Sequence, residues 1–362
     1  LELNRYEEAL KEFDTAINLD PNNHQYYFGK ALALYMLDKY KEALNSVQKA
    51  IDLDSKKPEY HDLKGTILLE LNRYEEALKE FDTAIKHDSN KSDYHYGKAK
   101  ALYMLKRYEE ALKEFDTAID LDPFNSQYHY DKAWALYMLK RYEEALKEFD
   151  TAIDLDPKKP EYHYDKGELL YMLKRYEEAL KEFDTAIKHD SNKSDYHYGK
   201  AKALYMLSYY KEALNSAQNA IDIDPFYPAY HDLKGNILLM LGRYEEALKE
   251  FDTAIEYASD EPDYHYDKAW ALYVLDQYKE ALDYVQKAID LDSKNPNYLI
   301  LYIKLEENLG SQEKVIEKIE DLVSSGEVNK DELCRRIDEE LKGGQLNEKE
   351  ESALMEIKAS IC

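Results

Sequence analysis

The feature that most constrains this chain of 362 residues is an internal repeat with a fixed period of 34 residues. The string RYEEALKEFDTAI begins at Arg5 and recurs unchanged in five later repeats, with looser copies between them. The marker tyrosines of the nine copies are Tyr6, Tyr40, Tyr74, Tyr108, Tyr142, Tyr176, Tyr210, Tyr244 and Tyr278. A period of about 20 to 50 residues is typical of folds in which similar units stack side by side. The period therefore predicts a stacked repeat fold rather than independent globular domains.

Each repeat carries two helical patterns. In the segment 107–119, which we call helix B, apolar side chains recur at spacings of three and four, as on one face of an α-helix. In the preceding segment 93–105, helix A, nearly every face is apolar or aromatic, so this helix must be covered on most sides. Turn signals such as Asp122-Pro123 separate helix B from the next helix A. The sequence therefore predicts a succession of helix-turn-helix units.

The repeat resembles the tetratricopeptide repeat (TPR) over nearly all of residues 1–309. The matching residues of one copy are Ala111, Phe115, Ala118 and Pro123. The earlier half of the motif departs from the family pattern, and its substitutions are His95 for a frequent Trp and Lys98-Ala99 for Leu-Gly. The resemblance implies an all-α, right-handed α-solenoid (superhelix) of 34-residue units with a helical C-terminal cap. We expect the lysines at the Lys98 position to lay their stems on the surface, with the ammonium group in water.

The period also places the domain boundaries. Residues 1–23 are predicted to form a partial first repeat with helix B only, 24–295 eight full repeats, 296–325 a degenerate terminal repeat and 326–362 the cap. Because the chain begins inside a helix B pattern at Leu1, we expect a segment upstream of it. The uncovered face of the partial repeat makes self-association an alternative function. A second alternative is an accessory array of a larger enzyme or signalling protein.

The charge and hydropathy of the chain exclude several classes of partner. Lysine and arginine total 49 against 75 aspartate and glutamate residues, a net charge of −26, whereas nucleic-acid binding relies on clustered cationic side chains. No apolar run approaches the roughly 18 to 20 residues that cross a bilayer, and the first residues lack the pattern of a secretory signal. The sequence therefore predicts a cytoplasmic protein that does not bind nucleic acid and does not insert into a membrane.

One stripe of helix A remains after two others are assigned to packing. On a helical wheel of the helix A that contains Tyr96, His95 and Tyr94 face neighbouring helices. A third face remains, which we call the helix A stripe. In the TPR family this face lines a concave groove that binds peptides or helices. The predicted partner-binding residues are Tyr96, Lys100, Tyr103, Tyr130, Trp134, Tyr137, Tyr164, Tyr171, Tyr198, Tyr205, Tyr266 and Trp270. Acidic residues such as Asp93 and Glu161 border the stripe. Aromatic faces beside carboxylates favour a neutral or basic protein segment, bound at about micromolar strength.

Other candidate sites have a simpler structural explanation. Seven histidines recur with the period at His61, His95, His129, His163, His197, His231 and His265. Adjacent helices pack about 8 to 10 Å apart, which is too far for easy sharing of one metal ion, so we expect these histidines in the core. Cys334 and Cys362 are expected to be ordinary thiols. Acidic residues recur with the repeat, whereas a catalytic constellation should occur once, so the sequence predicts no enzyme, no cofactor and no metal site.

Overall fold

The structure, a computed structural model, describes residues 2–310, 312–343 and 346–362. Within these ranges it contains 21 α-helices and no strand. Within each of the chain's two compact units, consecutive repeat helices pack on each other, as α4 (Pro58–Glu70) does on α5 (Tyr74–His87) and α12 (Ser194–Met206) on α13 (Tyr210–Ile223), and the predicted all-α solenoid is confirmed. Leu1, where the partial first repeat was predicted to begin, lies outside the described residues, as do positions 344 and 345 of the predicted cap.

The chain divides into two compact units, residues 1–169 and residues 170–362. Unit 1 contains α1 (Glu2–Leu19), α2 (His24–Tyr35), α3 (Tyr40–Leu53), α4 (Pro58–Glu70), α5 (Tyr74–His87), α6 (Ser92–Met104), α7 (Tyr108–Leu121), α8 (Ser126–Met138) and α9 (Tyr142–Leu155). The boundary falls within α10 (Pro160–Met172). Even-numbered helices up to this point are helix A of a repeat, and odd-numbered helices are helix B.

Unit 2 continues the alternation and then changes character. Its repeat helices are α11 (Tyr176–His189), α12 (Ser194–Met206), α13 (Tyr210–Ile223), α14 (Pro228–Met240), α15 (Tyr244–Tyr257), α16 (Pro262–Val274) and α17 (Tyr278–Leu291). The last four helices are α18 (Pro296–Leu309), α19 (Gln312–Ser324), α20 (Lys330–Gly343) and α21 (Glu348–Ile361). These four share one apolar core with α16 and α17.

The turn from helix A to helix B has one backbone conformation throughout the repeats. Its central residue has a positive φ of 56° to 71° at Asp38, Asn72, Lys106, Lys140, Lys174, Ser208, Gly242 and Asp276. The next amide returns to helix A, as in the 2.9 Å hydrogen bond that the Arg107 N–H donates to the Leu102 carbonyl. Glycine occupies one of these eight positions, so the packing of the helix pair offsets the steric cost of a left-handed conformation at the others.

Five B helices, α5, α7, α9, α11 and α15, place a buried phenylalanine in the core, whereas α3, α13 and α17 carry Val47, Ala217 and Val285 at this position. Phe81 is fully buried and lies between Gly65 and Gly97. A Cβ atom added at Gly97 would lie 2.4 Å from the Phe81 ring, which is closer than any real contact. Glycine at Gly65 and Gly97 therefore allows two successive A helices to pack closely against Phe81.

Histidine, lysine and glutamate form a cluster between helix A and helix B. In unit 1, His61 Nδ1 lies 2.7 Å from Glu80 Oε2 and its Nε2 lies 3.0 Å from the Ser55 carbonyl. The hydrogen bond to Glu80 raises the pKa of His61. All seven histidines are buried, as predicted. His129 Nε2 and His265 Nδ1 are the buried histidine nitrogens that lack a hydrogen bond in the described part of the chain.

The expectation for the repeat lysines was wrong. Lys98 Nζ lies 2.7 Å from Glu114 Oε1 and 3.0 Å from Asp82 Oδ1, so its ammonium group joins three helices rather than projecting into water. The lysine reaches inward because the buried histidine holds Glu114 close by, with 2.7 Å between His95 Nδ1 and Glu114 Oε2. Contacts with the lysine ammonium group and the histidine ring compensate the Glu114 carboxylate for its loss of hydration.

The two cysteines are paired. A disulfide joins Cys334 in α20 to Cys362 just after α21, so the expectation of ordinary thiols was wrong. The docking of α20 on α21 brings together residues 28 positions apart, which spacing alone does not reveal. The disulfide ties the two last helices to each other.

Candidate functional site

Most of the predicted partner-binding residues are buried to a similar extent. Eleven of the twelve are partly buried, and Lys100 is exposed. By contrast, Tyr94 and Tyr128, which the wheel assigned to the core, are 7% and 2% exposed. The aromatic residues of the helix A stripe therefore line a surface, with one face packed and one face accessible.

The first tyrosine of the stripe packs against the following repeat. In unit 1, the ring of Tyr96 lies 4.7 Å from that of Tyr128, centroid to centroid, and Tyr130 lies 4.6 Å from Tyr162. The Tyr96 hydroxyl also donates a 2.5 Å hydrogen bond to Asp131. These tyrosines hold neighbouring repeats together as well as lining the stripe.

A cavity of about 460 Å³ opens on the stripe in unit 1, between α6 and α8 and above α7. It is lined by Lys100, Tyr103, Met104, Phe115, Tyr130, Asp131 and Trp134. Four of these residues were predicted from the sequence, and the structure brings those four together. Met104 belongs to the same stripe. Phe115 was assigned to the helix B core, and it reaches the cavity because the position is open on the stripe side.

Asp131 is the cavity residue that the sequence reasoning missed. It occupies the position held by glycine at Gly97 and Gly199, and that substitution was the available signal. Asp131 accepts hydrogen bonds from Tyr96 and, at 3.0 Å, from the Gln127 amide. Burial raises the pKa of Asp131, and the hydrogen bond from Tyr96 offsets part of that rise.

The cavity therefore combines an apolar wall with two polar groups. Met104, Phe115 and Trp134 supply apolar and aromatic surface. Lys100 stands at the rim with Nζ 5.5 Å from the centre of the Tyr96 ring. Such a site can enclose a bulky apolar side chain while a charged group at its edge fixes the orientation.

Acidic groups continue along the stripe in unit 1. Asp62 takes the place of Tyr96 in the preceding repeat, and burial together with the Asp93 charge raises the pKa of Asp62 to about 7. Burial also raises the pKa of Asp165 to about 6. The border residue Asp93 accepts a 2.8 Å hydrogen bond from Tyr128 of the next repeat. The acidic border is thus partly built into contacts between repeats.

The other predicted residues near the unit boundary stay on the stripe. Tyr137 lies 5.3 Å from Trp134 between ring centroids, and Tyr164 is partly buried. In unit 2, Lys202 Nζ lies 5.1 Å from the ring of Tyr171 and 4.9 Å from that of Tyr198. A lysine of the chain itself therefore shows that paired stripe tyrosines accept a cation.

Tyr205, Tyr266 and Trp270 complete the predicted set in unit 2. The Tyr205 ring lies 5.8 Å from that of Tyr210 in the next helix. Tyr266 and Trp270 have a different environment, because they pack against the core that α18 to α21 share. The chain's own C-terminal helices thus cover part of the surface that the sequence assigned to a partner.

Two further properties concern sites of other kinds. Across residues 2–310, 312–343 and 346–362, no group of three histidine, cysteine, aspartate or glutamate side chains is placed to hold a metal ion. None of the described helices is both long enough and apolar enough to span a bilayer.

Comparison with known families identifies the repeat. The model of the tetratricopeptide repeat matches residues 63–126, 105–160, 130–192, 164–228 and 233–296. A model of subunit 3 of the anaphase-promoting complex, or cyclosome, matches residues 2–84. No curated protein matches the sequence.

Solved structures agree in fold at low sequence identity. The pilF protein of Pseudomonas aeruginosa is 18% identical, covers 59% of this chain and 97% of its own, and has a TM-score of 0.52. Cut9–Hcn1 of the anaphase-promoting complex is 14% identical, with coverage of 80% and 57% and a TM-score of 0.52. YrrB, described as a TPR protein with an unusual peptide-binding site, is 24% identical, with coverage of 51% and 95% and a TM-score of 0.45. The likenesses to pilF and Cut9–Hcn1 concern the fold alone.

Proposed function

This chain belongs to the tetratricopeptide repeat family, and we propose that it is a protein–protein interaction scaffold or adaptor. It binds a segment of a partner protein along the helix A stripe of unit 1, whose contact residues are Tyr96, Lys100, Tyr103, Tyr130, Trp134, Tyr137 and Tyr164. The stripe residues Tyr171, Tyr198 and Tyr205 form a second surface on unit 2, where the C-terminal helices cover Tyr266 and Trp270. The repeat carries this proposal better than a catalytic role, because stacked helix pairs present a long surface of recurring residues rather than one constellation.

The observation that supports the site best is the cavity of about 460 Å³ in unit 1. Pockets that bind ligands commonly have volumes of about 300 to 1,000 Å³, with mostly apolar walls and a few polar groups. The cavity has this character, and Trp134 and Tyr130 are of the residue types that most often dominate binding energy at protein interfaces. Trp134 is therefore proposed as the centre of the interface.

The charge of the stripe favours a neutral or basic segment. Asp62 and Asp165 are buried enough for their pKa values to rise to about 7 and about 6, so a cationic partner group beside them would be stabilised by the ionised carboxylate. The net charge of −26 disfavours acidic partners at long range. We expect binding at about micromolar strength, weaker at 1 M salt, where the Debye length falls to about 3 Å.

Site-specific cross-linking tests the surface directly. A photoreactive benzophenone residue in place of Met104, which lines the cavity and is 48% exposed, should cross-link to a partner in lysate. The same residue in place of Phe124, 81% exposed between α7 and α8, is the matched control. The cross-linked segment is then synthesised and titrated against the chain and its Trp134→Ala variant.

Two results decide the proposal. A segment that cross-links at position 104 but not at 124, and that loses about thirtyfold in affinity with Trp134→Ala, supports it, since a central aromatic residue contributes about 2 kcal/mol or more. Cross-linking at 124 alone, or affinity that does not depend on Trp134, would show that the partner binds a different face.

We propose a cytoplasmic location, and the cysteine pair provides the test. Disulfides persist mainly in oxidising compartments, whereas the structure pairs Cys334 with Cys362. Alkylation of intact cells, followed by mass spectrometry of the peptides that contain these cysteines, measures their state. Reduced thiols would support the cytoplasm, and a persistent disulfide would contradict it.

A further inference from the structure

The cavity of unit 1 has an equivalent position in unit 2. Each lining residue has a counterpart five periods of 34 residues further along the chain: Trp270, Tyr273, Val274, Val285, Ile300, Leu301 and Lys304. Lys100 and Trp134 are exchanged, because Trp270 stands at the lysine position and Lys304 at the tryptophan position. Both places therefore pair one lysine with one tryptophan beside a tyrosine.

In unit 2 the chain's own C-terminal helices cover this place. The Tyr273 hydroxyl donates a 2.5 Å hydrogen bond to Glu350 of α21, whose side chain is 1% exposed. Lys304 donates a hydrogen bond to Glu340 of α20, and its Nζ lies 5.6 Å from the centre of the Trp270 ring. Two carboxylates on helices thus contact the tyrosine and the lysine.

The same helices supply the apolar part of the contact. Leu354 follows Glu350 by four residues, so both side chains lie on one face of α21. Leu354 is fully buried, in the core against which Trp270 and Tyr273 pack. One helical turn apart, α21 thus supplies a glutamate that contacts Tyr273 and a leucine in the core against which Tyr273 and Trp270 pack.

We propose that the cavity of unit 1 recognises the same pair of groups on a helix of the partner. This inference rests on the proposed function and specifies its ligand. The apolar side chain enters between Trp134 and Met104, and the carboxylate one turn away accepts hydrogen bonds from Lys100 and Tyr103 at the rim. An amphipathic helix with one carboxylate that is otherwise neutral or basic is also compatible with the acidic residues along the stripe.

The probe is a peptide made from the chain's own α21. It comprises residues 347–361, with the exposed Glu348 and Glu356 replaced by lysine so that the peptide is basic. A hydrocarbon staple between the exposed positions Glu351 and Met355 fixes the helix. A second peptide differs only by Glu350→Gln, which keeps the shape and removes the charge.

Binding of both peptides is measured by fluorescence anisotropy with the full chain and three variants. We expect Trp134→Ala to weaken both peptides about thirtyfold. Lys100→Gln should weaken the glutamate peptide about tenfold and leave the glutamine peptide unchanged. Lys202→Gln is the matched control, because α12 repeats the sequence of α6, and it should change neither affinity.

The outcomes separate this inference from the proposed function. Equal binding of the two peptides, with both lost in Trp134→Ala, would overturn the carboxylate role and leave the stripe as a binding surface. Absence of binding, or binding that does not depend on Trp134, would overturn the inference as a whole. The proposed function would then be decided by the partner that cross-links at position 104.

Discussion

Two helices of this protein contain the same ten residues in different surroundings. Residues 128–137 of α8 and 264–273 of α16 both read YHYDKAWALY. In unit 1 this sequence borders a cavity of about 460 Å³, whereas in unit 2 it packs against a core shared with the C-terminal helices. The accessibility of a stripe residue is therefore decided by distant segments, since Glu350 lies 77 residues from the tyrosine that it contacts.

The aspartates of the two copies show the same dependence on neighbours. Asp131 accepts a hydrogen bond from the Tyr96 hydroxyl. Asp267, at the same place in the ten-residue sequence of α16, accepts a 2.6 Å hydrogen bond from the Asn236 amide. It lies beside Asp232, which occupies the position that Tyr96 holds in unit 1. Burial raises the pKa of Asp267 to about 6, and burial and the Asp267 charge raise that of Asp232.

Breaking the disulfide should have the largest effect on stability, and we expect this effect to be confined to the α16 copy and the C-terminal helices that pack on it. Cys334→Ser frees a segment spanning 28 positions, for which loop-closure entropy predicts a loss of about 3 kcal/mol. The chain has two tryptophans, so each region can be observed alone by fluorescence. Trp270 in a Trp134→Phe background should unfold at lower urea after Cys334→Ser, and Trp134 in a Trp270→Phe background should not. Equal shifts of both transitions would remove the distinction between the regions.

The next largest effect on stability is the difference between alanine substitutions of the two tryptophans. Trp270→Ala removes a ring packed against the C-terminal core and should cost roughly 2 to 3 kcal/mol in the free energy of unfolding. Trp134→Ala removes a ring that already borders open space, so its cost should be about 1 kcal/mol. Urea unfolding followed by circular dichroism measures both. Similar values would show that the covered and open copies are packed alike.

Removal of Glu350 should release the C-terminal helices from the stripe. Its carboxylate accepts hydrogen bonds from the Tyr273 hydroxyl and, at 2.8 Å, from the Asn308 side-chain amide. It also accepts one from the backbone amide of Asn347, just before α21. Glu350→Ala should destabilise unit 2 by about 2 kcal/mol, because buried partners lose a charged acceptor. The exposed neighbour Glu351→Ala should change stability by less than about 0.5 kcal/mol. Differential scanning calorimetry of the two variants makes the comparison, and equal melting curves would refute the role of Glu350.

The smallest effect concerns pH. The pKa of Asp267 is about 6 in the folded chain and about 3.9 when unfolded, so the folded state holds a proton that the unfolded state releases. Stability should therefore fall as pH rises from about 4 through about 6. Asp267→Asn should reduce this fall and stabilise the protein by roughly 1 kcal/mol at pH 8. Asp131→Asn should stabilise less, because the Tyr96 hydroxyl would then donate to a neutral amide oxygen instead of a carboxylate. Urea titrations at pH 5 and pH 8 test this order.

Much of the fold follows from the sequence, because the period and the helix wheel depend on local geometry. The wheel placed His95, Tyr94 and Tyr128 in the core, where they are buried. It gave no reason to expect an inward contact for Glu114, which lies outside the apolar face of helix B. A flexible acidic side chain at the edge of a helix can turn inward when His95 and Lys98 offer partners, and a wheel does not include such partners.

The helix A stripe was predictable from the sequence, but the cavity on that stripe was not. Spacing identified Tyr130 and Trp134, but the cavity also requires Asp131, at a position that holds glycine at Gly97 and Gly199. The cover over Trp270 and the pairing of Cys334 with Cys362 depend on how the last helices dock. Docking of that kind arises from contacts between distant segments, which a repeat pattern does not encode.

The central claim is that a partner segment binds at Trp134 rather than at Trp270. The segment captured by cross-linking at position 104 should be titrated against the two single-tryptophan proteins, Trp270→Phe and Trp134→Phe, with intrinsic fluorescence as the signal. We predict that the emission of Trp134 changes and saturates at about micromolar concentration, while that of Trp270 stays constant. A change at Trp270 with none at Trp134 would contradict this account.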